Sequence, residues 1–147
     1  MADVVIIYDS RTGNTEKAAR EVLAGVMESG ASVDIKKVDE ATVDDVRRAK
    51  GIILGSPNIN DNYSAKMRSF VETKLVQAKP HEKVGAAFGT YKWNMDNLKR
   101  LENDLRWKGV RLVAEGINVH RHGDGEVAKK LRELGRKVGE EARKRSA

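Results

Sequence analysis

The segment DSRTGNTEK sets Ser10, Thr12, Asn14 and Thr15 around Gly13 at one turn, directly after the apolar run VVIIY. One hydroxyl is enough to start a helix. The surplus of donors points to anion binding. A helix that begins near Thr15 leaves its first amide N–H groups without carbonyl acceptors and turns the positive end of its dipole outward. Gly13 lets the backbone approach closely, and the hydroxyls add further donors. Together they make a cradle for a phosphate dianion. The Gly-Lys-Ser/Thr ending of a nucleoside-triphosphate loop is missing, and its magnesium-binding hydroxyl with it.

Two further turns carry unusual chemistry. GSPNINDNYSAK holds Pro57, Asn58, Ile59, Asn60, Asp61, Asn62 and Tyr63, and FGTYKWNMDN holds Gly89, Thr90, Tyr91, Lys92, Trp93 and Asn94. The chain has three tyrosines, two tryptophans and two phenylalanines, and Tyr63, Tyr91 and Trp93 all fall in these two turns. Connections in α/β units are ordinarily short and polar. Rings gathered there imply a flat apolar ligand, the competing explanation being that each ring packs on the helix behind it.

These turns need a frame that brings them together. DVVIIYD, GIILGS and KVGAAFGT are almost continuously apolar, as strands covered on both faces are. SVDIKKV and VRLVAEG are more mixed, as strands nearer a sheet edge are. Between them run helical stripes: Ala18, Val22 and Val26 with Ala19 and Leu23; Met67, Phe70, Val71 and Leu75; Leu98, Leu101 and Leu105; Val127, Leu131, Leu134 and Val138. A short helix from Thr42 through Arg48, capped by Thr42 or Asp44, is expected between the second and third strands. Strands alternating with helices five times predict an α/β fold with a five-stranded parallel sheet and helices on both faces. In such sheets ligands lie beyond the carboxyl ends of the strands, at a topological switch point. All three turns stand there.

A phosphate cradle at one turn, a planar ring between two aromatic-bearing turns, and amides to read a polar ring edge describe a flavin mononucleotide (FMN) site. SRTGNT after a strand resembles the phosphate loop of the flavodoxin family; GSPNIN and FGTYKW resemble its second and third loops. The order of these motifs and the continuation KRLENDLRWKGVRLVAEGINV are most similar to the flavodoxin-like domain of the flavodiiron (A-type) flavoproteins. The resemblance covers residues 1–147 as a single FMN-binding domain and implies strand order 2-1-3-4-5. It implies that Ser10, Arg11, Thr12, Gly13, Asn14 and Thr15 hold the phosphate. Pro57, Asn58, Ile59 and Asn60 would border the ring and its ribityl chain. Gly89, Thr90, Tyr91, Lys92 and Trp93 would enclose the other side, with Trp93 or Tyr91 stacking on the flavin.

Family members usually carry a glycine in the second loop, where a peptide can turn its carbonyl toward reduced flavin N5. SPNINDNYS has none, although Asn60, Asp61 and Asn62 tolerate left-handed backbone better than other side chains. Ordinary electron-carrying flavodoxins are strongly acidic. This chain carries 28 Lys and Arg against 22 Asp and Glu, a formal net charge of +6. With Arg11 and Lys92 at the mouth, the expected redox partner is a protein with an acidic docking surface. The basic end EVAKKLRELGRKVGEEARKRSA also suits the dipole at a helix C-terminus, so nucleic acid is not the expected partner.

There is no cysteine, which excludes disulfides, thiolate-held iron–sulfur clusters and a cysteine nucleophile. No run reaches the roughly 18–20 apolar residues of a membrane helix. The start MADVVIIYDS lacks the basic beginning and cleavage site of a signal peptide, so a cytoplasmic location is expected. His120 and His122 share one face of NVHRHGDGE, but no third ligand stands at the expected spacing, and no metal is expected there. No side chain is expected to act as a general acid or base. The metal-binding domain that accompanies this module in flavodiiron proteins has no counterpart among these residues, so oxygen or nitric oxide reduction is expected to need another polypeptide. The leading expectation is an FMN protein that shuttles electrons between a reductase and an acceptor. One alternative is an NAD(P)H- or quinone-linked FMN reductase, and another is a flavin-free interaction module of the same fold.

Overall fold

The computed structural model describes residues 2–146. Its strands are β1 (Val4–Tyr8), β2 (Val33–Lys37), β3 (Gly51–Ile59), β4 (Asn62–Tyr63), β5 (Val84–Tyr91), β6 (Arg111–Leu112) and β7 (Ile117–His120). Its helices are α1 (Asn14–Glu28), α2 (Val43–Arg48), α3 (Ala65–Phe70) with a π-helical continuation over Val71–Leu75, α4 (Asp96–Trp107) and α5 (Gly125–Ser146). The sheet runs β2-β1-β3-β5-β6, the expected order once the small hairpin strand β4 is set aside. Parallel pairing is continuous through the centre, from Val4↔Gly51 to Tyr8↔Gly55 and from Gly51↔Val84 to Pro57↔Thr90.

Successive strand residues point to opposite faces, and both faces are covered. Val5, Ile7, Ile52, Leu54 and Ala87 pack with Met67, Phe70, Val71, Leu75, Leu101 and Leu105 from α3, its continuation and α4. Val4, Ile6, Ile53, Ala86 and Phe88 pack with Ala18, Ala19, Val22 and Val26 of α1 and with Leu131, Leu134 and Val138 of α5. Thr42 caps α2: its hydroxyl accepts from Asp45 N–H at 3.1 Å and Asp45 Oδ2 accepts from Thr42 N–H at 2.8 Å, a reciprocal box.

Two stretches differ from expectation. VRLVAEG is not one strand. Only Arg111 and Leu112 pair with β5; the chain then leaves the sheet and rejoins the same strand as β7. Between Leu112↔Gly85 and Ile117↔Phe88 the register slips by two residues. A slip of two preserves which face each side chain points to, so Val119 stays buried. The second departure is in the second turn. β3 extends to Ile59 and folds back as a hairpin, with Asn58 opposite Tyr63 and Ile59 opposite Asn62. The two-residue connection, Asn60 (φ 51°) and Asp61 (φ 64°), has left-handed backbone at both positions. That is the requirement of a type I′ turn, and Asn and Asp are the side chains that meet it when glycine is absent.

Candidate functional site

The three turns meet in one cleft of about 390 Å³ beyond the carboxyl ends of β1, β3 and β5. Arg11, Thr12, Asn14 and Thr15 line one end; Pro57, Asn58, Ile59 and Asn60 form one wall; Thr90, Tyr91, Lys92 and Trp93 form the other. Asp61 and Asn94 also line it.

Three expected site residues stand elsewhere. Ser10 Oγ accepts from Gly13 N–H at 3.1 Å and Glu16 N–H at 3.3 Å, so it closes the loop onto the start of α1. Ser10 and Gly13 line a separate hollow of about 270 Å³ on the other side of the loop. Gly13 has φ 92°, and a Cβ there would meet nothing within 4 Å. Its backbone conformation, not lack of room, is what calls for glycine. Gly89 lies behind the wall, where a Cβ would press on the amides of Asn97 and Asn118.

Tyr63 is a correction to the aromatic expectation. Its ring is 1% exposed and belongs to the core under α4, not to the cleft. Its hydroxyl donates to Asp104 Oδ2 at 2.5 Å. Burial, reinforced by that acceptor carboxylate, raises the phenol's pKa well above its ordinary value. Hairpin pairing with Asn58 turns this ring inward, so Tyr91 and Trp93 are the rings at the cleft. Tyr91 is half-buried, whereas Trp93 is 86% exposed at the rim.

The amides of Asn14 and Thr15 precede the first α-helical bond, from Lys17 N–H to Gly13 C=O at 3.0 Å, and have no acceptor within the helix. Thr15 also ties the first turn to the third: its hydroxyl lies 2.7 Å from that of Thr90, both buried. Asn97, at the start of α4 and 1% exposed, connects the second and third turns. Its Nδ2 donates to Ser56 C=O (3.1 Å) and Thr90 C=O (3.2 Å), and its backbone N–H donates to Asn58 Oδ1 (3.1 Å). Asn118 Nδ2 in turn donates to Asn97 Oδ1 (2.9 Å) and Met95 C=O (3.3 Å). A buried network of this kind specifies one arrangement when its members are satisfied. Sequence reasoning missed Asn97 and Asn118 because an asparagine near a helix start or on a short strand looks like any cap or surface amide.

His120 and His122, set aside as metal ligands, have other contacts. His120 Nε2 is 3.2 Å from Lys92 C=O, and His122 Nδ1 is 3.0 Å from Gly123 C=O.

A doubly wound sheet with a cleft at the switch point between β1 and β3 defines the flavodoxin-like class. The sequence profile described as flavodoxin matches residues 6–135, and the chain belongs to the flavodoxin family. It is 34% identical over 142 residues to a nitric oxide reductase of Moorella thermoacetica, covering 93% of this chain and 35% of that protein. It is 29% identical over 136 residues to a flavodoxin of Clostridium beijerinckii, covering 90% and 96%. Among solved structures, a flavodoxin from the domain Archaea superposes with TM-score 0.92 at 22% identity, covering 95% of this chain and 98% of that one, a likeness of fold. The chain spans about a third of the length of the first curated relatives it matches. Among the described residues no helix is long and apolar enough to cross a membrane.

FMN is the cofactor of this family, and the residues present fit it. Amides without helical acceptors, hydroxyls and Arg11 suit a phosphate, and the space between the Asn58–Asn60 wall and the Tyr91–Trp93 wall suits a planar ring. The volume lies within the range of roughly 300–1,000 Å³ usual for ligand sites.

Proposed function

We propose that this chain holds FMN in the cleft and passes electrons between a reductase and an acceptor protein. The observation that carries the reading is the convergence of the three turns, locked by the Thr15–Thr90 hydroxyl pair and by Asn97. Thr12, Asn14, Thr15 and Arg11 bind the phosphate. The polar edge of the ring faces the backbone of Asn58–Asn60, and Tyr91 and Trp93 cover its apolar faces, a contact worth about 0.5–1.5 kcal/mol beyond burial. Bound FMN supplies the redox chemistry, while the chain contributes binding, orientation and electrostatics. Lys92 brings positive charge to the cleft rim and so favours a negatively charged flavin.

The docking face is the rim itself. Trp93 and Met95 are exposed there, and Arg11 and Lys92 are the cationic residues of the cleft lining. An apolar centre with a basic border fits an acidic partner protein. Titration of purified protein with FMN, followed by flavin fluorescence, tests the reading: saturable quenching at one equivalent is expected, and a protein that ignores FMN overturns it. Reduction of quinone with NADPH and no second protein would move the assignment to a reductase. For the partner, Arg11→Glu and Lys92→Glu should slow electron transfer and weaken its salt dependence.

A further inference from the structure

The end of β7 and the residue after it grip the third turn at four points. Arg121 N–H donates to Tyr91 C=O at 2.8 Å, and His120 Nε2 reaches Lys92 C=O. The His120 and Tyr91 rings lie with centroids 5.1 Å apart, tilted by 40°. The Arg121 guanidinium carbon stands 5.2 Å from the centroid of the Trp93 ring. Arg121 adopts φ 55°, a backbone region that residues with a Cβ rarely occupy. Such conformations persist only where the surroundings over-determine them. Here the surroundings are the hydrogen bond to Tyr91 and the indole of Trp93. With 86% of its surface exposed, Trp93 has almost no core contact to hold it at the cleft rim.

We propose that Arg121 is a positioning residue of the cleft, a cation–π clamp that sets the Trp93 indole at the ligand wall before a ligand arrives. His120 serves the same turn through its contacts with Tyr91 and Lys92. The two-residue slip in β7 register is what carries His120 and Arg121 up to Tyr91 and Trp93. A ring held in its bound orientation spares the ligand the cost of ordering it. An exposed cation–π contact of this kind corresponds to about a 2–5-fold effect on affinity. The consequence for ligand affinity rests on the flavin reading of the cleft; the clamp itself does not.

Trp93 becomes the sole tryptophan in a Trp107→Phe background, since the chain has two and Trp107 is itself 86% exposed. In that background Arg121→Gly removes the clamp while relieving the left-handed backbone, so the fold is retained. Arg121→Gln removes the charge alone, and Arg121→Lys keeps a cation over the ring. The expected result in flavin-free protein is faster local motion of Trp93, read by time-resolved fluorescence anisotropy, in the Gly and Gln variants, with most of the restriction restored by Lys. The FMN dissociation constant should rise about 2–5-fold in Gly and Gln and stay near the parent value in Lys. Unchanged anisotropy in both Gly and Gln overturns the clamp. Faster ring motion with unchanged FMN affinity, in a parent that binds FMN, overturns the positioning role of Arg121 toward the ligand. A parent that binds no FMN sinks the flavin reading alone, and the anisotropy series then decides the clamp.

Discussion

The hydroxyls of Thr15 and Thr90 meet at 2.7 Å although 75 residues separate them in the chain. Thr15 stands in the first turn of α1 and Thr90 near the end of β5, so one hydrogen bond ties the first loop of the cleft to the third. Thr15→Val leaves the Thr90 hydroxyl buried without that bond, at a cost of about 1–3 kcal/mol. The double variant Thr15→Val/Thr90→Val should cost clearly less than the sum of the singles, because both polar groups are gone. Urea unfolding of the four proteins measures this, and strict additivity would deny the pair its coupling.

Asn97 is the larger test of how the cleft is held. Asn97→Leu keeps the volume but removes the amide that serves the Ser56 and Thr90 carbonyls. A loss of at least about 2 kcal/mol is expected. FMN and riboflavin should both bind more weakly, with the ratio of their affinities unchanged, because Asn97 holds the second and third turns and has no bond to the first. Parallel fluorescence titrations with the two ligands check it.

The hairpin turn makes a prediction about side-chain choice. Asn60 and Asp61 both sit at positive φ, where an ordinary side chain costs about 1–2 kcal/mol. Asn60→Ala should therefore destabilise by about 1 kcal/mol, while Asn60→Gly should stay within about 0.5 kcal/mol of the parent. Thermal unfolding distinguishes the two.

Glu102 gives a pH-dependent outcome. Burial raises its pKa above the usual 4.5; Arg106 and the Gly116 N–H only partly offset that. The folded state thus favours the protonated acid. Its contribution to stability is complete below the ordinary value and is lost as pH rises through the raised one. Glu102→Gln should be more stable than the parent at pH 7, and the gap should close as the pH falls to about 4. Melting temperatures at the two pH values decide, and a gap that widens in acid would reverse the assignment.

Much of the frame was legible in the chain. The apolar runs of β1, β3 and β5 and the four-residue stripes of α1, α4 and α5 depend on local periodicity, which survives without knowledge of neighbours. The turn at the start of α1 was legible too, because SRTGNT combines a strand end, a glycine and a helix start within six residues, and the structure brings it to the cleft. Tyr63 was not. Whether a ring beside a turn faces the cleft or the core depends on the pairing of Asn58 with Tyr63, which no local pattern announces.

The sequence by itself determined the layering and the turns that reach the sheet's carboxyl edge, since periodicity and turn chemistry act over a few residues, while the strand order came only from the resemblance to a known family. Only the tertiary structure decided which side chains face the cleft and what holds them there. The Thr15–Thr90 bond, the Asn97 network and the approach of Arg121 to Trp93 each join distant segments. Their existence depends on β-strand register, including a slip of two residues, and register is settled by packing of the whole sheet.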